Sequence, residues 1–314
     1  MFIDSLGHYI PEDLIPNNYF ENVNGLTDEW IFSRTGIKTR TKASTNETSN
    51  TMGIEAVKNA ISDLPYDIKD VDLVIGASYT PYDTIGTVAH AIQKEFGLEN
   101  AKALYVSSAC SSLINAIEIA EGYFATGKSE HALVVASEHN TLYSNDEDEK
   151  SGHLWGDGAA AIFISKNKTK ENQPKIKDIY TRGLGHIGKS TTAVYLHPSN
   201  GGLLMPFGRD VFIHACNYMI SALNTILEKN SMTIEELDYI IPHQANIRII
   251  NHIAKNLKIP SDKMLTNIKE LGNTGCASTL IALSQNIDKM KSSQKVGLTV
   301  FGGGYSCGSL LVQI

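Results

Sequence analysis

A single offset of 166 residues carries three landmarks of this chain onto one another: Asp72 onto Asp238, Cys110 onto Cys276 and Val135 onto Phe301. Asp72 and Asp238 each precede an apolar run. Each of the two cysteines sits beside Ala and Ser in a small-residue turn ahead of an apolar helix. Val135 and Phe301 each lie near the end of an apolar strand. Similarity at one spacing points to repeated supersecondary units that bury their apolar faces against one another. Chance spacing in a layered α/β protein is the alternative.

Short β-branched runs alternate with helical stretches, which predicts α/β layering. Strands are expected at Leu73–Ala77, Ala103–Val106, Ala132–Ala136, Ala160–Ile164, Tyr239–Ile241, Val296–Phe301 and Ser309–Val312. Helices are expected at Thr51–Ile61, Val88–Phe96, Ser111–Thr126, Arg209–Lys229 and Ala245–Leu257. The stretch Lys166–Lys175, rich in Lys, Asn and Glu, is the natural bridge between halves, which divides the chain into 1–168 and 169–314. Its 314 residues suffice for both.

Composition removes several function classes. A net charge of −7 argues against a nucleic-acid binder, since phosphate binding needs a basic face. No stretch approaches the ~20 apolar residues of a membrane span, and Met1–Ile10 is too short and polar for a secretory leader. A cytoplasmic protein with no membrane partner is expected. The four cysteines contain no C-x-x-C pair, so neither a disulfide framework nor a metal site is expected.

Cys110 ends the string Ala103-Leu-Tyr-Val-Ser-Ser-Ala-Cys, with an apolar helix after it. A cysteine at such a strand-to-helix turn feels the positive end of the helix dipole, which favours the thiolate. A thiolate suits a thioester electrophile. The other reading is a small buried cysteine, and that reading is preferred for Cys216, Cys276 and Cys307.

In Pro-His243-Gln-Ala-Asn246 a histidine comes after an apolar strand, at the kind of strand end where ligands gather in α/β sheets. A neutral imidazole there can donate to a developing oxyanion. Leu271-Gly-Asn273-Thr-Gly is a second tight turn, whose asparagine either donates without titrating or stabilises its own turn. Phe301-Gly-Gly303-Gly closes the last long strand. Its freed N–H groups can complete an oxyanion hole with the Cys110 amide, or form a plain hairpin turn. Gly183–Ser190 matches the phosphate-loop string G-x-x-x-x-G-K-S. The segment after Ser190 is short, β-branched and stopped by Pro198, which argues against a phosphate loop.

Taken in this order, Cys110, Pro-His243-Gln-Ala-Asn, Gly-Asn273-Thr and Phe-Gly-Gly303-Gly closely resemble 3-oxoacyl-[acyl-carrier-protein] synthase III of the thiolase superfamily. Asp28-Glu-Trp30-Ile-Phe-Ser-Arg34-Thr-Gly-Ile resembles its N-terminal motif, and Gly156-Asp157-Gly158-Ala-Ala its mid-chain loop. The resemblance spans the chain. It implies a five-layered αβαβα thiolase-like fold of two duplicated halves, and a homodimer. It implies that Cys110 takes the starter acyl group from acyl-CoA, with the Cys110 and Gly303 amides as the oxyanion hole. His243 and Asn273 would then stabilise the enolate formed by decarboxylation of malonyl-acyl carrier protein. No cofactor is implied, since CoA is a substrate.

The same resemblance implies that Trp30 and Arg34 contact the CoA nucleotide. Gly208, Phe212 and Asn246 would line the pantetheine tunnel, and Arg248 would meet the carrier protein. Arg209 replaces a neutral residue beside the tunnel. Ile85 stands where a partner subunit commonly closes the acyl pocket with an aromatic ring, which favours a longer or branched acyl group. An acidic loop, Asn145–Lys150, lies where an arginine commonly meets CoA. These departures keep open a specialised ketosynthase that joins or cyclises two acyl units, of alkylresorcinol, quinolone or pyrone type. A non-catalytic partner or carrier-binding module is the rival from another class.

Overall fold

Residues whose side chains alternate between two apolar surroundings build the centre of this protein. In the computed structural model, which describes Met1–Ile314, Val74, Leu133, Val135, Ala161 and Phe163 enter one core. Their neighbours Leu73, Ile75, Ala132, Val134, Ala160 and Ile162 enter another. Successive side chains of a strand point to opposite faces, so these strands are covered on both sides. That explains their continuous apolar sequence.

The strands run in the order Tyr239–Pro242, Lys295–Gly302, Ser306–Gln313, Lys175–Gly183, Phe2–Tyr9, Gly158–Ser165, His131–Glu138, Leu73–Ala77 and Lys102–Val106. Between the fourth and fifth of these the only register pair is Phe2 with Lys175. The order therefore describes two sheets that meet at a narrow seam. Ser49–Ile61 and Val88–Phe96 cover the outer face of one sheet, and Gly208–Lys229 and Ile247–Leu257 that of the other. Ser112–Ala125 and Ser278–Ser284 fill the space between. Three cores separated by two sheets give the five-layered αβαβα arrangement.

The halves repeat in detail. The Asp72 N–H donates to the His131 carbonyl (3.0 Å) and the Asp238 N–H to the Lys295 carbonyl (2.9 Å). Each carboxylate accepts the amide of that same strand-opening residue, at 3.3 and 2.8 Å. The central helices start at Ser112 and Ser278, two residues after Cys110 and Cys276. The third landmark needs correction. Val135 lies beside Gly76, and the residue similarly placed beside Pro242 is Thr299, not Phe301. A two-residue slip keeps the same face of a strand, so the apolar pattern hides it. The counterpart of the edge strand Lys102–Val106 has shrunk to a single bridge between Ile240 and Met264.

Gly183–Ser190 leads into a three-residue 3-10 turn, Ser190–Thr192, and then a strand. The Lys189 N–H donates to the Asp210 carboxylate at 2.9 Å. With an acidic group in place of an anion and no helix behind it, the segment is not a phosphate loop. No helix is long and apolar enough to cross a membrane.

Candidate active site

The first half supplies Cys110 through a turn stitched by serines. Ser111 Oγ donates to the Ser108 carbonyl (2.7 Å), and Ser112 Oγ donates to the Ala109 carbonyl (2.6 Å) while accepting the Ser108 N–H. Ala109 takes a left-handed φ of 50°, uncommon for a residue with a side chain. The turn thereby holds Cys110 just ahead of the Ser112–Ala125 helix. Neither the Cys110 nor the Gly303 amide N–H is spent on another backbone carbonyl. Both residues line one cavity of about 280 Å³.

The second half adds His243 and Asn273 to that cavity. His243 Nδ1 is 2.8 Å from Ser278 Oγ, and that hydroxyl also receives the Gln244 N–H at 3.4 Å. A hydroxyl that accepts from Gln244 is free to donate to Nδ1, and the tautomer with hydrogen on Nε2 is the one that fits this donation. Burial pushes the His243 pKa down to about 4, so the ring is neutral. Asn273 Oδ1 accepts the Gly275 N–H at 3.1 Å, which leaves its amide nitrogen as the free donor. Its carbonyl receives the Gly156 N–H (3.0 Å) and Asn140 Nδ2 (3.2 Å).

The cysteine has a second influence besides the helix end. Burial, and next the charge of Glu138, push its thiol up to about 12, against weaker opposition from the Tyr79 hydroxyl and its own backbone N–H. A helix end favours the thiolate, but here desolvation outweighs it.

Most of the cavity wall is apolar, including Val194, Leu203, Val211, Met219 and Phe301. Met205 also borders an outer pocket of about 360 Å³ lined by Trp30, Gly208, Glu149 and Lys150. Arg34 stacks on Trp30 with its guanidinium carbon 4.3 Å from the ring centroid. Other expected residues lie elsewhere. Asn246 caps the Ile247–Leu257 helix by accepting the Arg248 N–H (2.8 Å), and does not line either pocket. Phe212 sits half-buried against the His252 ring. Arg209 is exposed, as is Arg248, whose Nη2 donates to the Ser33 carbonyl at 3.2 Å. Ile85 is 86% exposed and away from the Cys110 cavity of its own chain.

Ser278, Tyr79, Met205 and most of the apolar wall escaped sequence reading. Ser278 lies in the string after Asn273, and its offset from Ser112 was the one available signal. Tyr79 and Met205 carried none.

Residues 105–183 match the family model of 3-oxoacyl-[acyl-carrier-protein] synthase III, and residues 227–314 match that of its C-terminal part. The chain is 35% identical to the β-ketoacyl-[acyl-carrier-protein] synthase III of Acholeplasma laidlawii, over 99% of this chain and 98% of that one. The crystal structure of 3-oxoacyl-[acyl-carrier-protein] synthase III from Aquifex aeolicus superposes with a TM-score of 0.92 at 32% identity, covering 100% of this chain and 99% of that one. The priming β-ketosynthase of the R1128 polyketide pathway does so at 0.91 and 28% identity, covering 100% and 96%.

Proposed function

This chain belongs to the 3-oxoacyl-[acyl-carrier-protein] synthase III family of condensing enzymes, and on that premise we propose that Cys110 accepts the acyl group it condenses. The starter comes from acyl-CoA, and the extender is malonyl-acyl carrier protein. One observation carries the assignment of roles: Cys110, the Nε2–H face of His243 and the free amide of Asn273 share one cavity.

In the first half-reaction the Cys110 sulfur attacks the thioester carbonyl, and the Cys110 and Gly303 N–H groups receive the oxyanion. CoA leaves with the thiol proton. In the second, the malonyl thioester carbonyl accepts from His243 Nε2 and Asn273 Nδ2. Loss of carbon dioxide then leaves an enolate whose charge those donors stabilise. Its carbon attacks the acyl-Cys110 carbonyl, the bond to sulfur breaks, and Cys110 takes a proton from water as the 3-oxoacyl thioester leaves. Neutral donors suit this work, because they favour negative charge that develops only along the reaction. No bound cofactor takes part.

Trp30, Arg34 and Gly208 are assigned to the CoA entrance and Arg248 to the carrier protein. Phe212, Asn246 and Arg209 line neither pocket and receive no role. The half-exposed apolar edge strand Lys102–Val106 pairs on one side only, which supports a homodimer formed along it. A second copy would bring its Ile85 toward the acyl pocket. A cytoplasmic location accompanies this reading. Likeness to a priming ketosynthase, together with the aliphatic Ile85, favours as second reading a specialised starter.

Intact-protein mass after incubation with an acyl-CoA panel tests these assignments. Cys110→Ala should abolish the adduct, and His243→Ala should keep it while losing condensation. An adduct on Cys110→Ala would defeat the reading. The chain length that loads best separates the two starters, and sedimentation tests the dimer.

A further inference from the structure

Gly302, Gly303 and Gly304 carry no side chains, so nothing of their own packs to hold the turn that presents the Gly303 N–H to the Cys110 cavity. Contacts from elsewhere hold it instead. The Leu184 N–H donates to the Tyr305 carbonyl at 2.7 Å. Ser190 Oγ lies 2.6 Å from the Gly304 carbonyl oxygen and 2.7 Å from that of Gly185. Tyr305 is buried, and its hydroxyl donates to Asp210 Oδ2 at 2.7 Å.

Three of these contacts come from Gly183–Ser190, the segment whose string matches a phosphate loop and whose structure does not. Asp210 Oδ2 also accepts the Lys189 N–H at 2.9 Å, so one carboxylate oxygen ties that segment to the glycine turn. Gly188 permits the approach: its φ is 51°, and a methyl group there would come 2.5 Å from the same oxygen. Asp210 stands in the first turn of the Gly208–Lys229 helix, and its neighbour Val211 lines the cavity. A strap thus runs from the cavity wall through Asp210 and Tyr305 to the turn that carries Gly303.

We propose that Asp210 and Tyr305 are positioning residues for acyl transfer, fixing through their mutual hydrogen bond the direction of the Gly303 N–H toward the thioester oxygen. The inference rests on Cys110 being the acyl acceptor and on its amide and that of Gly303 forming the oxyanion hole. Neither positioning residue lines the cavity. A donor stabilises developing charge best when its direction is set beforehand, and a run of glycines is least able to set it alone. His243 and Asn273 sit on other turns, bonded to Ser278 and Gly275, outside the strap. The strap therefore serves attack at the acyl carbonyl and not the loss of carbon dioxide from the extender.

The test compares wild type with Asp210→Ala, Asp210→Asn, Tyr305→Phe and Cys110→Ala. Thr192→Ala is the control, since that hydroxyl donates to the Lys189 carbonyl (2.8 Å) and does not reach the glycine turn. Adduct formation is followed by rapid quench and intact mass over a range of acyl-CoA concentrations. Carbon dioxide release from malonyl-acyl carrier protein is assayed separately. Asp210→Ala and Tyr305→Phe should each slow loading at saturating acyl-CoA roughly ten-fold, part of the ~10²–10³ that loss of a whole donor costs. The half-saturating concentration and the rate of carbon dioxide release should stay within about two-fold of wild type. Asp210→Asn keeps an acceptor oxygen and should restore loading. Asp210→Ala combined with Tyr305→Phe should be no slower than Asp210→Ala alone, because both remove the same bond. Loading at the wild-type rate in either single variant would overturn the proposal, and so would equal losses in loading and carbon dioxide release. Tyr305→Phe deletes one oxygen and decides the matter if Asp210→Ala folds poorly. Acyl loading that survives in Cys110→Ala would instead remove the reading beneath it.

Discussion

A methyl group placed on Gly302 would come 2.9 Å from the Cys110 amide nitrogen and 2.8 Å from the Ser108 carbonyl oxygen. The glycine turn of the second half thus lies directly against the cysteine turn of the first. Both neighbours are backbone, and neither can yield without moving the turn that aims the thiol.

Gly302→Ala should therefore cost acyl loading at least ten-fold and roughly 1–3 kcal/mol of stability, the usual range for overpacking. Gly303→Ala should be milder, because its methyl would meet the Val194 side chain. Adduct formation by mass and the midpoint of urea unfolding measure the two effects.

Ser278→Ala should spare loading and slow decarboxylation of the extender. The hydroxyl lies 2.8 Å from His243 Nδ1, and a bond donated there favours the Nε2–H tautomer, a preference that alanine removes. A loss of roughly 10–100-fold is expected, by analogy with removal of a partner that orients a metal-bound imidazole. Carbon dioxide release, assayed apart from acyl transfer, reads this directly.

Asn273→Asp should be more damaging than its size suggests. The free amide donor becomes an acceptor, while the bond from the Gly275 N–H can persist. Loss of one such donor costs roughly 10²–10³ in turnover. Condensation should collapse and the acyl-Cys110 adduct should accumulate.

Acid should leave His243 unaffected until late. With its pKa near 4, the condensing step should show no acid limb from this ring above about pH 5. The same shift sets a stability dependence. His243 and His153, both lowered to about 4 by burial, bind protons in the unfolded chain near ~6.5. Their contribution is full above ~6.5 and is lost as pH falls through about 4. His8 and His139 are lowered too and act on the same side. Glu138, raised to about 7, acts oppositely: its contribution is present below ~4.5 and lost as pH rises through 7. Burial raises Asp157 and Glu121 as well, so four imidazoles stand against three carboxyls, and a net loss on acidification is expected between roughly pH 6.5 and 4.5. Urea midpoints across that interval check the sign.

The apolar strands were legible because both faces are buried: Leu73–Ala77 reads the same in sequence and structure. Phe2–Tyr9 was not, although it sits at the seam. Asp4 and Ser5 interrupt its pattern, and Asp4 is tolerated inside only because Tyr66, Ser165 and Gln173 donate to it from distant segments. Cys110, His243 and Asn273 could be singled out because their turns are unusual strings. Tyr79 and Ser278 could not, since each matters through a partner 61 or 35 residues away. The acidic neighbour of the thiol went unread for a related reason. A turn can be read locally, but the carboxylate behind it, Glu138, arrives from another strand.

The narrow seam at Phe2 and Lys175 has a further consequence. The nucleophile comes from one side of it and the enolate donors from the other, so each side holds half of a working set. A chain nicked between Ser165 and Lys175 would contain every reactive atom and yet be inert until its pieces docked. Recovery of turnover would then report their reunion and not the refolding of either fragment.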